Sequence, residues 1–198
     1  MSRIKPLLWF FLKLVLLYAL LMAPWPGLRS AYAATFRFVG RLCFTHFGQD
    51  GRVTFEPHEY AFGQTDTELI LHNRRQPDTR GTVTCDSRLR GYFPTAFVIA
   101  LILATPLPAK RRLRALLWGL LAVNVFVALR IALLIVQTFS GDHPGALYHP
   151  SPFWAGVLKQ LVTNLCDAPA SHFIIPIFIW ITTTLRPNDL KRWMQPPP

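Results

Sequence analysis

Acidic residues are scarce in this chain: ten Asp and Glu stand against twenty-one Lys and Arg over 198 residues. Nine of the ten fall in two connections, Pro24–Gly91 and Ser140–Ala168, and none lies in an apolar block. A cation inside such a block therefore has no carboxylate partner from another block. Cysteine is also rare, at three residues, and the odd count leaves at least one free thiol. No internal repeat is visible, which argues against a transporter built from paired halves.

What the chain does have is apolar sequence in long runs. Leu7–Ala23, Tyr92–Ala109, Ala115–Phe139 and Pro169–Leu185 each approach the length that crosses a hydrocarbon core of roughly 30 Å. The first is interrupted by Lys13 and the third by Arg130. The expected fold class is an all-α polytopic membrane protein with about four transmembrane helices, a small extracytoplasmic β element and an interfacial helix. The net charge of +11 could suggest nucleic acid, but its placement points to a lipid bilayer instead. Arg3 and Lys5, then Lys110, Arg111, Arg112 and Arg114, then Arg186, Lys191 and Arg192 cluster at block ends. This positive-inside pattern puts both termini and the short hairpin loop in the cytoplasm.

The expected organisation is an N-terminal transmembrane anchor over 1–24 and an extracytoplasmic segment with short strands over 25–84. A helical membrane core follows over 85–186, and a cytoplasmic tail over 187–198. Ala31-Tyr32-Ala33 also fits a signal-peptide cleavage site, but Pro24, Pro26 and Arg29 separate it from a long apolar run, which favours a retained anchor. Phe36–Val39 and Arg52–Phe55 alternate as strands do, Glu68–Leu71 is a shorter run, and glycines and Pro57 punctuate them. This β element is too short for a core of its own. Phe153–Leu165 carries apolar residues at helical spacing, with Lys159 and Gln160 off that face, and reads as an interfacial or partly re-entrant helix.

Arg130 is the most informative single residue. A guanidinium in hydrocarbon is costly and normally faces a bundle interior, a partner or water. It lies eight residues before Thr138, roughly 12 Å below the outer end of its helix. A structural ion pair or a snorkelling arginine is the alternative reading. Cys85 sits where the outer segment becomes the second block. A helix starting there would favour a thiolate through its amides, aided by Arg88 and Arg90 and opposed by Asp86. Inert packing is the plainer alternative. His172, at the outer end of the fourth block, and His149, in the outer loop, are the candidate general acid/base residues. Cys43 with Cys166 is one conceivable disulfide; three unpaired thiols is the other reading. Cys85, Arg130 and His172 all fall toward the outer leaflet. Together they suit acyl transfer: thiolate attack on a peptide carbonyl, cationic stabilisation of thiolate or oxyanion, and protonation of the leaving amine.

Cys85 before a span, a basic cytoplasmic hairpin, Ala128-Leu129-Arg130-Ile131 in the next span and an outward-facing histidine resemble the exosortase/archaeosortase family of membrane cysteine transpeptidases. The likeness covers the chain from Cys85 onward. Arg130 follows Cys85 by 45 residues and His172 follows Arg130 by 42, intervals similar to that family's Cys–Arg–His/Arg pattern. Asp86 and Ser87 stand where members often carry a small residue and glycine, and Asn124 lies further upstream of the arginine than is usual, as in a divergent branch. Tyr148-His149 before Phe153–Gly156 also resembles a family stretch, so His149 is the alternative to His172. The resemblance implies a nucleophile at Cys85, an essential Arg130 and a third residue at His172. It further implies no cofactor and no metal. The implied protein substrate carries a C-terminal sorting signal (short motif, transmembrane helix, basic tail) and is cut on the periplasmic side. The rival expectation is a non-enzymatic integral membrane subunit of an envelope or polysaccharide export system.

Overall fold

The computed structural model describes residues 4–48, 50–58, 65–141 and 146–185. The expected tail over 187–198 and the loop residues 142–145 lie outside them. Among the described residues there are six α-helices, two π-helical turns and one four-stranded sheet. The order is α1 (Ile4–Met22), α2 (Leu28–Phe44), β1 (His46–Phe47), β2 (Gly51–Pro57), β3 (Thr67–Asn73) and β4 (Gln76–Cys85). A π-helical turn (Arg88–Tyr92) leads into α3 (Phe93–Ala104), followed by α4 (Ala109–Thr138) and α5 (Pro152–Val162). A second π-helical turn (Thr163–Asp167) precedes α6 (Ser171–Thr184).

This is not the expected four-span, all-α chain. Among the described residues, only α4, with 30 residues, is long and apolar enough to cross a membrane by itself. At 1.5 Å per residue it is about 45 Å long. The block over Tyr92–Ala109 supplies only the 12 helical residues of α3, because Pro106 and Pro108 stop the helix. The last block supplies 14, with Pro176 inside. These reach about 18 and 21 Å, short of a core of roughly 30 Å. The apolar part of α1, Leu7–Met22, is also shorter than a span. α5 with its π-helical turn and α6 reach span length only if counted as one broken span. Apolar composition marks the blocks, but not how much of each is one unbroken helix.

The chain divides into two compact units, each assembled from separated stretches. Unit 1 combines 1–23, 93–125 and 172–198. Its helices α1 and α3 pack through Leu14, Ala100, Leu101 and Ala104, with Phe10, Phe97 and Trp180 around them. A second cluster joins Val98, Ile102, Ala115, Val123 and Ile179. Gly119 permits this approach, since a Cβ there would lie 2.7 Å from the Ile102 side chain. Trp180 Nε1 donates to Thr105 Oγ1 at 2.8 Å, satisfying its one donor in an apolar setting. Outward from these cores, α1, α4 and α6 expose Leu8, Val15, Leu117, Trp118, Leu121 and Phe178. An apolar surface of that kind suits lipid rather than water.

Unit 2 combines 24–92 and 126–171. Its antiparallel strands run in the order β1-β2-β3-β4. Val53 and Phe55 of β2 and Leu69 and Leu71 of β3 point to one face, as a period of two requires. They pack with Ile131, Leu134 and Ile135 of α4, with Phe139 just after it, and with Val162 and Cys166. The β element therefore does have a core, which α4 and the second π-helical turn help to build. The strand expected over Phe36–Val39 is instead part of α2. Ala33 and Gly40 are the buried residues of α2, and Arg37 and Arg41 donate to the carbonyls of Asp66 and Phe55 at 2.6–3.0 Å. The spacing of these four residues follows a helix face, which outweighs two turns' worth of local alternation. Strand β4 was not expected. Gly81 and a run of threonines hide its period.

Candidate functional site

Arg130 is fully buried and is the largest fully buried side chain among the described residues. Its Nη1 donates to the Arg90 carbonyl at 3.2 Å and its Nη2 to the Cys166 carbonyl at 2.7 Å. Each acceptor belongs to a π-helical turn, one on either side of α4 in sequence. Cys166 is in the last turn of its helix, where carbonyls lack intrahelical donors, and Pro94, four residues after Arg90, has no N–H for the Arg90 carbonyl; a guanidinium is a rigid fork able to serve both. The guanidinium carbon also sits 5.5 Å from the Phe126 ring centroid, one turn earlier on α4. In return, the Cys166 thiol lies 3.5 Å from the Arg130 carbonyl oxygen. The thiol in contact with Arg130 is thus Cys166, which spacing alone could not reveal.

Charge around this point is unbalanced. The Arg90 guanidinium is mostly buried and lies 3.8 Å from the Asp167 carboxylate, itself 57% exposed. Arg88 lies over the Tyr92 ring at 5.9 Å. Two buried cations therefore share one well-hydrated carboxylate.

Cys85 ends β4 rather than starting a helix. It is 2% exposed and belongs to the core of unit 2. The amides that follow it are already occupied. Ser87 N–H and Oγ donate to the Asp66 carboxylate at 3.0 and 2.7 Å, and Arg88 N–H donates to Asp86 Oδ1 at 2.8 Å. Two carboxylates thus take the donors that a thiolate would need. Burial pushes the Cys85 thiol up to about 12; Arg90 works against this, while Asp66 and Asp86 add to it. All three cysteines are free, with Cys43 exposed on α2 and Cys166 buried.

His172 opens α6 and is 4% exposed; it belongs to unit 1, whereas Cys85 and Arg130 belong to unit 2. His149 is exposed, next to Tyr148, whose carbonyl accepts from Gly141 N–H at 3.3 Å. No group of three or more His, Cys, Asp or Glu among the described residues could hold a metal ion. The arrangement around Arg130 can hold two π-helical turns together and present a positive field. Burial, rather than this cluster, keeps Cys85 in its neutral form, and the Arg90 charge works against it.

A family model of exosortase H-associated membrane proteins matches residues 4–150. No curated protein and no solved structure matches the chain. The sequence resemblance pointed to the exosortase itself, whereas the match is to a protein associated with it. Because the matched region covers most of its length and includes α4, the chain belongs to the family of exosortase H-associated membrane proteins.

Proposed function

We propose that this chain is a non-catalytic membrane subunit that works beside an exosortase in the processing of exported proteins. The observation that carries the reading is the use of Arg130. Both Nη atoms are engaged by main-chain carbonyls inside the core of unit 2, so the guanidinium acts as a staple rather than as an oxyanion donor. The burial of Cys85 as a neutral thiol supports the same reading, since the thiolate is the nucleophile.

In this reading α4 crosses the bacterial inner membrane with its basic start, Lys110–Arg114, in the cytoplasm. The sheet of unit 2 then lies on the periplasmic side. The exposed apolar faces of α1 and α6 contact lipid or the helices of the exosortase, and the sorting-signal substrate is met within that complex. Affinity purification from mild detergent tests it. The tagged chain is expected to retain a co-expressed exosortase and to lose it when apolar residues exposed on α6, Ile174 and Phe178, are changed to serine. Failure to retain the exosortase, even after cross-linking in the intact membrane, would sink the proposal.

A further inference from the structure

We propose that the cavity beside the basic start of α4 binds the phosphate headgroup of an anionic phospholipid. This cavity, of about 340 Å³, lies within unit 1 and is lined by residues of α4 and of the last turns of α6. Arg111, Arg114 and Trp118 supply its α4 side, and Thr182 and Thr183 its α6 side. Among the described residues, none that lines the cavity carries a carboxylate.

The two arginines have different placements. Arg111 Nη2 donates to the Thr184 carbonyl at 2.6 Å, which fixes that guanidinium against the end of α6. Arg114, three residues on and on the same helix face, is exposed. Thr182 and Thr183 donate their hydroxyl protons to carbonyls of their own helix at 2.7–3.0 Å. The lone pairs that remain accept from a donor, as a headgroup hydroxyl is. The same two helices also carry apolar side chains that face outward. Leu117 and Leu121 of α4 and Phe178 and Ile181 of α6 are exposed. Arginine over tryptophan over leucine is the order met on passing from headgroup to acyl chain. A free phosphate would use only the upper part of this gradient, whereas a phospholipid uses all of it. Phosphatidylglycerol, with one net negative charge and two headgroup hydroxyls, matches the lining.

The test follows the thermal unfolding midpoint of the full chain in a neutral detergent while lipid is added. Short-chain phosphatidylglycerol is compared with phosphatidylcholine of the same chain length and with inorganic phosphate. Phosphatidylglycerol is expected to raise the midpoint saturably, with the other two having little effect. Arg114→Gln is expected to weaken the response about tenfold, as loss of one charge-assisted hydrogen bond does. Trp118→Leu should weaken it as well, while Arg80→Gln, on the sheet of the other unit, leaves it unchanged. An equal response to phosphatidylcholine overturns the proposal. So does a full response to phosphate alone, which identifies a simple anion site. Equal weakening by Arg80→Gln overturns it too, because the effect then comes from overall charge. If Arg114→Gln does not fold, the Trp118→Leu and Arg80→Gln comparison decides.

Discussion

Replacing Arg130 by alanine separates a structural arginine from a catalytic one. The substitution strands the buried Cys166 carbonyl and the part-buried Arg90 carbonyl, which now accept from Nη2 and Nη1 at 2.7 and 3.2 Å. Each stranded acceptor costs about 1–3 kcal/mol. The cavity left by a fully buried side chain adds on the order of 2–5 kcal/mol. Relief of a buried cation's desolvation works in the opposite direction. The net loss is about 3–5 kcal/mol, a large share of a domain's typical 5–15 kcal/mol. For a chain of this size, that lowers the melting midpoint by roughly 6–20 °C. Arg130→Lys keeps the charge but lacks the fork that spans both carbonyls, so it should fall between alanine and the native residue. The assay pairs thermal unfolding in detergent with alkylation of Cys166, whose thiol contacts the Arg130 main chain and is shielded in the native fold. The staple predicts that Arg130→Ala exposes Cys166 and melts early. If that variant melts within about two degrees of the parent with Cys166 still protected, the reasoning is wrong.

Other expectations follow from the same packing. Cys85, with its thiol pushed up to about 12, carries roughly one thiolate in ten thousand at pH 8, so it should resist maleimide until the protein unfolds, while exposed Cys43 reacts readily. Raising the pH from 9 toward 12 should progressively remove stability, because the unfolded chain releases this proton first; a Cys85→Ala variant should show a flatter profile over that range. Gly40→Ala places a Cβ 2.6 Å from the Phe55 ring and should cost about 1–3 kcal/mol, read as a lower denaturation midpoint. On the outer face of the sheet, His46, Arg52, His72 and Arg80 stand opposite one another across all four strands. Threonine suits an exposed strand position better than arginine does, so Arg52→Thr should stabilise by about 0.2–1 kcal/mol, read as a higher denaturation midpoint.

Part of this architecture was legible in the sequence, and the reasons for the rest are physical. Alternation located β2 and β3, because one face of each packs on a core and the other does not. The cost of burying a guanidinium drew attention to Arg130, which is indeed fully buried. Composition reports apolar length but not helix length, so it suggests four spans, whereas Pro106 and Pro108 stop α3 short of its block. Phe36 and Phe38 mimicked a strand over too short a window, while the face set by Ala33, Arg37, Gly40 and Arg41 belonged to a helix. The contact between Arg130 and Cys166 joins residues 36 positions apart and leaves no local pattern. For Cys85, the sequence suggests a helix start, whereas the residue ends β4 and the carboxylates of Asp66 and Asp86 claim the amides that follow it.

The central claim, a subunit without its own thiol chemistry, is tested most directly by following a sorting-signal substrate in cells that contain the exosortase and this chain with Cys85 changed to alanine. Fold retention is checked by the unchanged protection of Cys166. The account predicts processing of the substrate at the parent rate, and a loss or slowing only when the whole chain is deleted. Accumulation of uncleaved precursor in the folded Cys85→Ala strain would contradict it and restore Cys85 as a nucleophile.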